Sequence, residues 1–171
     1  MPENKNTIPP CMILVTKEGR WYHQGAEIIH RPIFLWLIQS LEKTEDGLFI
    51  VHLNNQKCFL EVEDTPLVIS GLERQPAGPD GPEQIRLRLN DESVEILAPE
   101  TLWISRENVL YCRVKNRQFP ARFLRPAYYQ LAEFISDDEA GNFFLSLNQK
   151  KYPIRIKEDN VQFPPEWPSP G

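Results

Sequence analysis

Seven basic side chains are the residues of this chain whose types and spacing could do chemistry. Arg31 and Arg125 each precede a proline, Pro32 and Pro126. Proline suits the first turn of a helix because its missing N–H would be unpaired there anyway. A guanidinium beside the free N–H groups of a helix start attracts phosphate or carboxylate. The competing reading is structural: each arginine pairs with a nearby acid, such as Glu61 or Glu63, and locks helix to sheet. Arg113, Lys115 and Arg117 occupy alternate positions, which would set all three on one face of a strand. Arg86 and Arg88 repeat that spacing around Leu87. From Gln84 to Pro126 there are eight Lys/Arg and five Asp/Glu, a local balance of +3 in a chain of net charge −5. If these strands are neighbours, they form a basic sheet face suited to an acidic protein or an anionic small molecule. The alternative is a solvated face with cross-strand partners such as Glu95. The stripe lacks the interleaved aromatics of single-strand binders, and the chain is acidic, so nucleic acid is not the expected partner.

The other candidates are weaker. Glu61, Glu63 and Asp64 follow one another at a strand end. Paired acids can do acid–base work with a neighbour such as His30 or Arg31, but an acidic strand end beside a turn is common. His23, His30 and His52 have no ligand spacing, and His30 stands where it could cap a helix. Cys11, Cys58 and Cys112 are odd in number, far apart and without a Cys-x-x-Cys pair. They predict neither a disulfide framework nor a zinc site, and Cys58 and Cys112 read as small buried hydrophobes in strands. The hydrolase, zinc-protease, phosphate-loop and dinucleotide motifs are all missing. The expectation is therefore a non-catalytic binding module with no cofactor and no metal. The alternatives are an enzyme with an acid/His or acid/Arg site between two lobes, or a structural subunit of an assembly. No apolar run approaches the roughly 18 residues of a membrane span, and cytoplasm is the default location.

The elements that position these residues come from a repeat. Arg31 to Val62 aligned without a gap on Arg125 to Ile156, an offset of 94, gives nine identities in 32 positions. About two would be expected at typical residue frequencies. Each copy reads as hairpin, helix, hairpin. Met12–Val15 and Trp21–His23 form the first hairpin. A helix follows from Arg31 to about Lys43, and Gly47 closes the connection. Leu48–Leu53 then turns at Asn54-Asn55 into Lys57–Val62, because asparagine tolerates the positive φ of tight hairpin turns. In the second copy Val109–Val114 leads to a turn near Asn116, a helix runs from Arg125 to about Ile135, and Asn142–Leu147 turns at Asn148-Gln149 into Lys151–Ile156.

The first helix is apolar nearly all round, which requires cover on most sides. Trp36 and Ile33 would pack between lobes or join a second copy of the chain in a homodimer. The expected organisation is an α+β fold with a flexible segment 1–11, a β-rich lobe 12–74, a Pro/Gly loop 75–84, a second lobe 85–158 and a Pro-rich tail 159–171. The ligand site would be the basic face or the cleft between lobes.

Several stretches together resemble the bacterial domain-of-unknown-function family 1285 (DUF1285). They are Gly19-Arg20-Trp21 through Gly25, Arg31-Pro32, Asp46-Gly47-Leu48-Phe49 and Val62-Glu63-Asp64-Thr65-Pro66-Leu67, followed by Arg113-Val114 and Ala121 through Leu131. That resemblance implies two small β-rich domains, one β-roll-like and one α/β-roll-like. It implies no established activity and supplies no catalytic residue. Beyond Gly141 the chain departs from the pattern, continuing through Lys150 to Glu158 and adding the Pro-rich tail.

Overall fold

The computed structural model describes residues 8–157. The start of the N-terminal segment and the Pro-rich tail lie outside the described residues. Those described divide into two compact units, 8–66 and 67–157, each with its own mixed sheet.

In the first unit, β1 (Pro10–Val15) alternates exposed and buried residues, sending Cys11, Ile13 and Val15 into the core. That is the period-two pattern of a half-buried strand. β2 (Trp21–His23) returns antiparallel to it, and β3 (Ala26–Glu27) pairs with β2. Helix α1 (Arg31–Gln39) has Pro32 in its first turn. His30 caps it, its Nδ1 accepting from the Ile33 N–H at 3.4 Å. α1 buries Phe34, Leu37 and Ile38, and the Phe34 ring meets buried Trp21 edge-on at 5.6 Å. Ile33 and Trp36 are 50% and 55% exposed.

This helix stops four residues before its expected end at Lys43. The Ser40 hydroxyl donates back to the Leu37 carbonyl at 2.7 Å and accepts from His52 N–H at 3.0 Å. A serine that bonds its own helix end competes with further helix. Glu42–Lys43 then forms β4, paired with β5 (Phe49–Leu53). Asn54 and Asn55, at φ 52 and 64, turn the chain into β6 (Gln56–Val62). The sheet order is β3-β2-β1-β6-β5-β4, with β1 and β6 parallel.

The cysteine expectation fails here. Cys11 on β1 and Cys58 on β6 form a disulfide, with Cα atoms 4.9 Å apart. The odd count concealed a pair plus one free thiol, Cys112, which is buried.

In the second unit, β7 (Leu67–Gln75) and β8 (Gln84–Leu89) pair antiparallel, and β9 (Val94–Ile96) closes that end of the sheet. A single 3-10 turn at Pro99–Thr101 leads to β10 (Trp103–Ser105), β11 (Leu110–Val114) and β12 (Phe119–Phe123). Helix α2 (Arg125–Ala132) starts at an arginine and a proline, as α1 does, and buries Ala127 and Leu131. It ends before Ile135, which the sequence placed in the helix. Ile135 instead opens β13 (Ile135–Asp137), paired with β14 (Phe143–Leu147). β15 (Lys150–Lys157) completes a sheet ordered β13-β14-β15-β10-β11-β12-β7-β8-β9. The core of this unit is made by Leu67, Ile69, Leu87, Leu110, Leu131 and Leu145, all under 2% exposed. Each such side chain contributes roughly 1.5–3 kcal/mol by leaving water.

Candidate functional site

Of the seven basic residues, two stand open on a regular strand. β8 alternates buried Ile85, Leu87 and Leu89 with exposed Arg86 and Arg88. Arg86 sits opposite Glu73 on β7 and Ile96 on β9, and Arg88 opposite Gly71 and Val94. The Arg88 guanidinium lies over Gly71, in the space a side chain there would fill. Val94 and Ile96 are each 49% exposed. Opposite residues of an antiparallel pair share a face, so two arginines, the exposed Glu73 and two apolar side chains form one patch at the end of the nine-stranded sheet.

The other stripe is not a strand face. β11 ends at Val114, and Lys115, Asn116 and Arg117 form the turn to β12 with φ of 54, 57 and 64. The alternation therefore breaks one residue after Arg113. Lys115 folds over the β8–β9 turn, its Nζ 2.6 Å from the Asp91 carboxylate, 3.5 Å from Glu95 and 2.9 Å from the Ser93 hydroxyl. Its N–H also donates to Glu95 at 2.9 Å. Arg117 pairs with Glu100. Arg113 is half-buried, its N–H donating to the Thr101 hydroxyl at 3.1 Å.

Asp91 is buried, and burial alone works to raise its carboxyl. The hydrogen bonds from Lys115 and Ser93, with the Lys115 charge, outweigh that and hold it below the ordinary carboxylate range. Cys112 behaves oppositely: full burial, with the Glu95 charge second, pushes its thiol far up. It stays a neutral core side chain, without the thiolate a reactive cysteine needs.

Arg31 and Arg125 are both exposed first residues of their helices. The Arg31 guanidinium stacks 4.9 Å from the Phe34 ring. The acid–base candidates have local duties. His30 caps α1, and the Glu63 carboxylate accepts from Lys17 N–H at 3.0 Å. His52 bonds Glu42 at 3.0 Å. Among the described residues no three His, Cys, Asp or Glu side chains are grouped to hold a metal ion. No described helix is long and apolar enough to cross a membrane.

Sequence reasoning missed the Val94–Ile96 half of the patch and everything around the disulfide. The alternation Val94-Glu95-Ile96 was legible as a strand. Which side faced water was not, because the partner face depends on where β8 lies in the sheet.

No family model matches the chain, and no curated protein does. Two solved structures do. One is a DUF1285 family protein from Silicibacter pomeroyi DSS-3, with TM-score 0.68, 16% identity and 90% of each chain covered. The other is a DUF1285 family protein from Shewanella baltica OS155, with TM-score 0.57 and 18% identity, covering 71% of this chain and 91% of that one. The chain shares the DUF1285 fold. The resemblance noted in the sequence is thus matched in three dimensions, and the DUF1285-like architecture is an α+β arrangement of two mixed sheets and two helices.

Proposed function

We propose that this protein is a non-catalytic binding module whose β8–β9 face receives an acidic protein partner. The observation that carries the reading is the exposed pair Arg86 and Arg88 set directly against exposed Ile96 and Val94. Arginine beside apolar surface is the composition of interface centres, and two like charges on one strand select an acidic surface. Lys115 and Arg117 spend their charge on Asp91, Glu95 and Glu100, and Glu95 lies opposite buried Leu87, on the other side of β9 from Val94 and Ile96. Arg113, Arg31 and Arg125 remain secondary anion contacts. The test is a paired pull-down with Arg86→Glu/Arg88→Glu and a control reversal at exposed Lys150. The reading expects an acidic partner that the control retains, the double variant loses, and added salt weakens. Retention of every partner by the double variant overturns it.

A second reading concerns self-association. Ile33 and Trp36 are exposed on α1, and Ile29 just before it is 81% exposed. This apolar strip supports a homodimer, which sedimentation of the wild type and Trp36→Lys would detect as a dimer that the variant abolishes.

We also infer that the two units are copies of one scaffold. Support comes from pairing: β1-β2-β3 and β10-β11-β12 are antiparallel runs, β1–β6 and β10–β15 are parallel, and β4-β5-β6 and β13-β14-β15 are antiparallel. The Cys11–Cys58 disulfide favours residence in an oxidising compartment over the cytoplasm, where thiols are kept reduced. Acid quenching of whole cells followed by alkylation of the denatured protein reads this directly, with one alkylated cysteine expected, Cys112, against three in a reduced chain.

A further inference from the structure

The outer face of the first unit's sheet carries a groove of about 440 Å³. Its floor is a cross-strand row, with Leu14 flanked by Tyr22 on β2 and Glu61 on β6. Met12 and the Gln24–Gly25 turn form one wall. Three of these wall residues hold positive φ: Met12 at 61, Gln24 at 50 and Gly25 at 86. For Met12, inside a strand, this is a conformation that persists only where the surroundings impose it, and such residues cluster at ligand sites.

The surroundings are identifiable. The register of β1 against β6 shifts between Pro10 and Leu14, so Met12 sits in a bulge. Beside it, on the buried face, Cys11 is bonded to Cys58. On the other side the Gln24 N–H donates to the Met12 carbonyl at 3.0 Å, tying the two parts of the wall together. The groove is preformed, and its size is that of small-molecule sites.

The lining specifies the ligand's chemistry. Glu61 is its single charged group, exposed on β6, and no basic side chain lines it. Met12, Leu14 and the Tyr22 ring supply apolar and polarisable surface, which suits a cation with an apolar body. We infer that this groove binds an organic ammonium ion, its charge on Glu61 and its apolar body on Leu14, Tyr22 and Met12. The site belongs to the first unit, and its lining shares no residue with the β8–β9 face.

The chain has two methionines, Met1 and Met12, so methyl-labelled methionine gives a direct reporter. The titration uses phenethylammonium and its neutral counterpart, phenethyl alcohol. The expected result is a saturating shift of the Met12 methyl with the ammonium and binding about tenfold weaker for the alcohol, the scale of one charge-assisted contact. Glu61→Gln is expected to lose the same factor, while the charge reversal Lys150→Glu, at an exposed position outside the groove, leaves the affinity unchanged. Equal affinity for the two probes, no saturation, or full affinity in Glu61→Gln would each overturn the assignment. Leu14→Gln, which keeps Glu61, is expected to weaken both probes alike, and unchanged binding there counts against the groove as the site.

Discussion

The sheets of the two units pass through the same neighbours, β3-β2-β1-β6-β5-β4 in the first and β12-β11-β10-β15-β14-β13 in the second. They part company in two places. β10 and β15 pair in regular parallel register, Trp103 to Arg155 through Ser105 to Lys157. Their counterparts β1 and β6 are bulged and cross-linked. The second sheet also continues past β12 into β7, β8 and β9, where the first, among the described residues, ends at β3. A unit of about 60 residues buries a marginal core, and the disulfide makes up for that in the first. In the second, β7 adds Leu67, Val68, Ile69 and Leu72 to the core. What the units have in common is this strand order. Both candidate sites lie on what they do not share, the bulge of one and the added strands of the other.

That contrast can be broken most sharply at the disulfide. Its loop spans 47 residues, for which chain-entropy reasoning gives about 4 kcal/mol of stabilisation. Cys11→Ala/Cys58→Ala should accelerate hydrogen exchange across β1, β2, β5 and β6 and leave β10, β11, β14 and β15 unchanged. Next come the matched leucines, Leu37 on α1 and Leu131 on α2, both buried. Each, changed to alanine, should cost about 3 kcal/mol in its own unit alone. If Leu131→Ala loosens both units equally, the division into two cores is wrong.

Asp91 offers a smaller, pH-dependent test of the added strands. Its folded carboxyl is held below the ordinary range, so its stabilisation is present at neutral pH. That stabilisation is lost as pH falls below about 4, the unfolded value, towards the lower folded one. Asp91→Asn should cost about 2 kcal/mol at neutral pH and flatten the acid limb of the unfolding curve. An unchanged limb in that variant would remove Asp91 from the account. Smallest is Gly141→Ala: φ is +84 with open space around the added carbon, so about 1 kcal/mol of backbone strain is the whole effect. Gly47, at φ 90, carries the same kind of backbone strain in the first unit.

The parts of this structure visible in sequence were local. Arg31-Pro32 and Arg125-Pro126 marked helix starts, Asn54-Asn55 and Asn148-Gln149 marked hairpin turns, and Ile85 to Leu89 showed which residues point inward. What stayed hidden depends on long-range pairing. Cys11 and Cys58 are both at inward positions of their strands, but only the parallel pairing of β1 with β6 brings them together. Leu67 to Leu72 is apolar enough for either sheet, so nothing local says that the chain changes sheets at Pro66. The helix ends were misjudged because Glu42–Lys43 and Ile135–Asp137 gain ladder bonds from strands that follow in sequence. Arg113, Lys115 and Arg117 alternate like one strand face, and that alternation runs on through the turn near Asn116, which no glycine announces.

The measurement closest to the central claim is crosslinking from the added strands. A photoreactive residue at Val94, with an equivalent one at exposed Ser146 on β14, reads which surface a partner occupies. The expected result is an acidic protein captured from position 94, absent from position 146, and lost when Arg86→Glu/Arg88→Glu is combined with the probe. Capture from 146 alone, or capture from 94 that survives the arginine reversal, would contradict it.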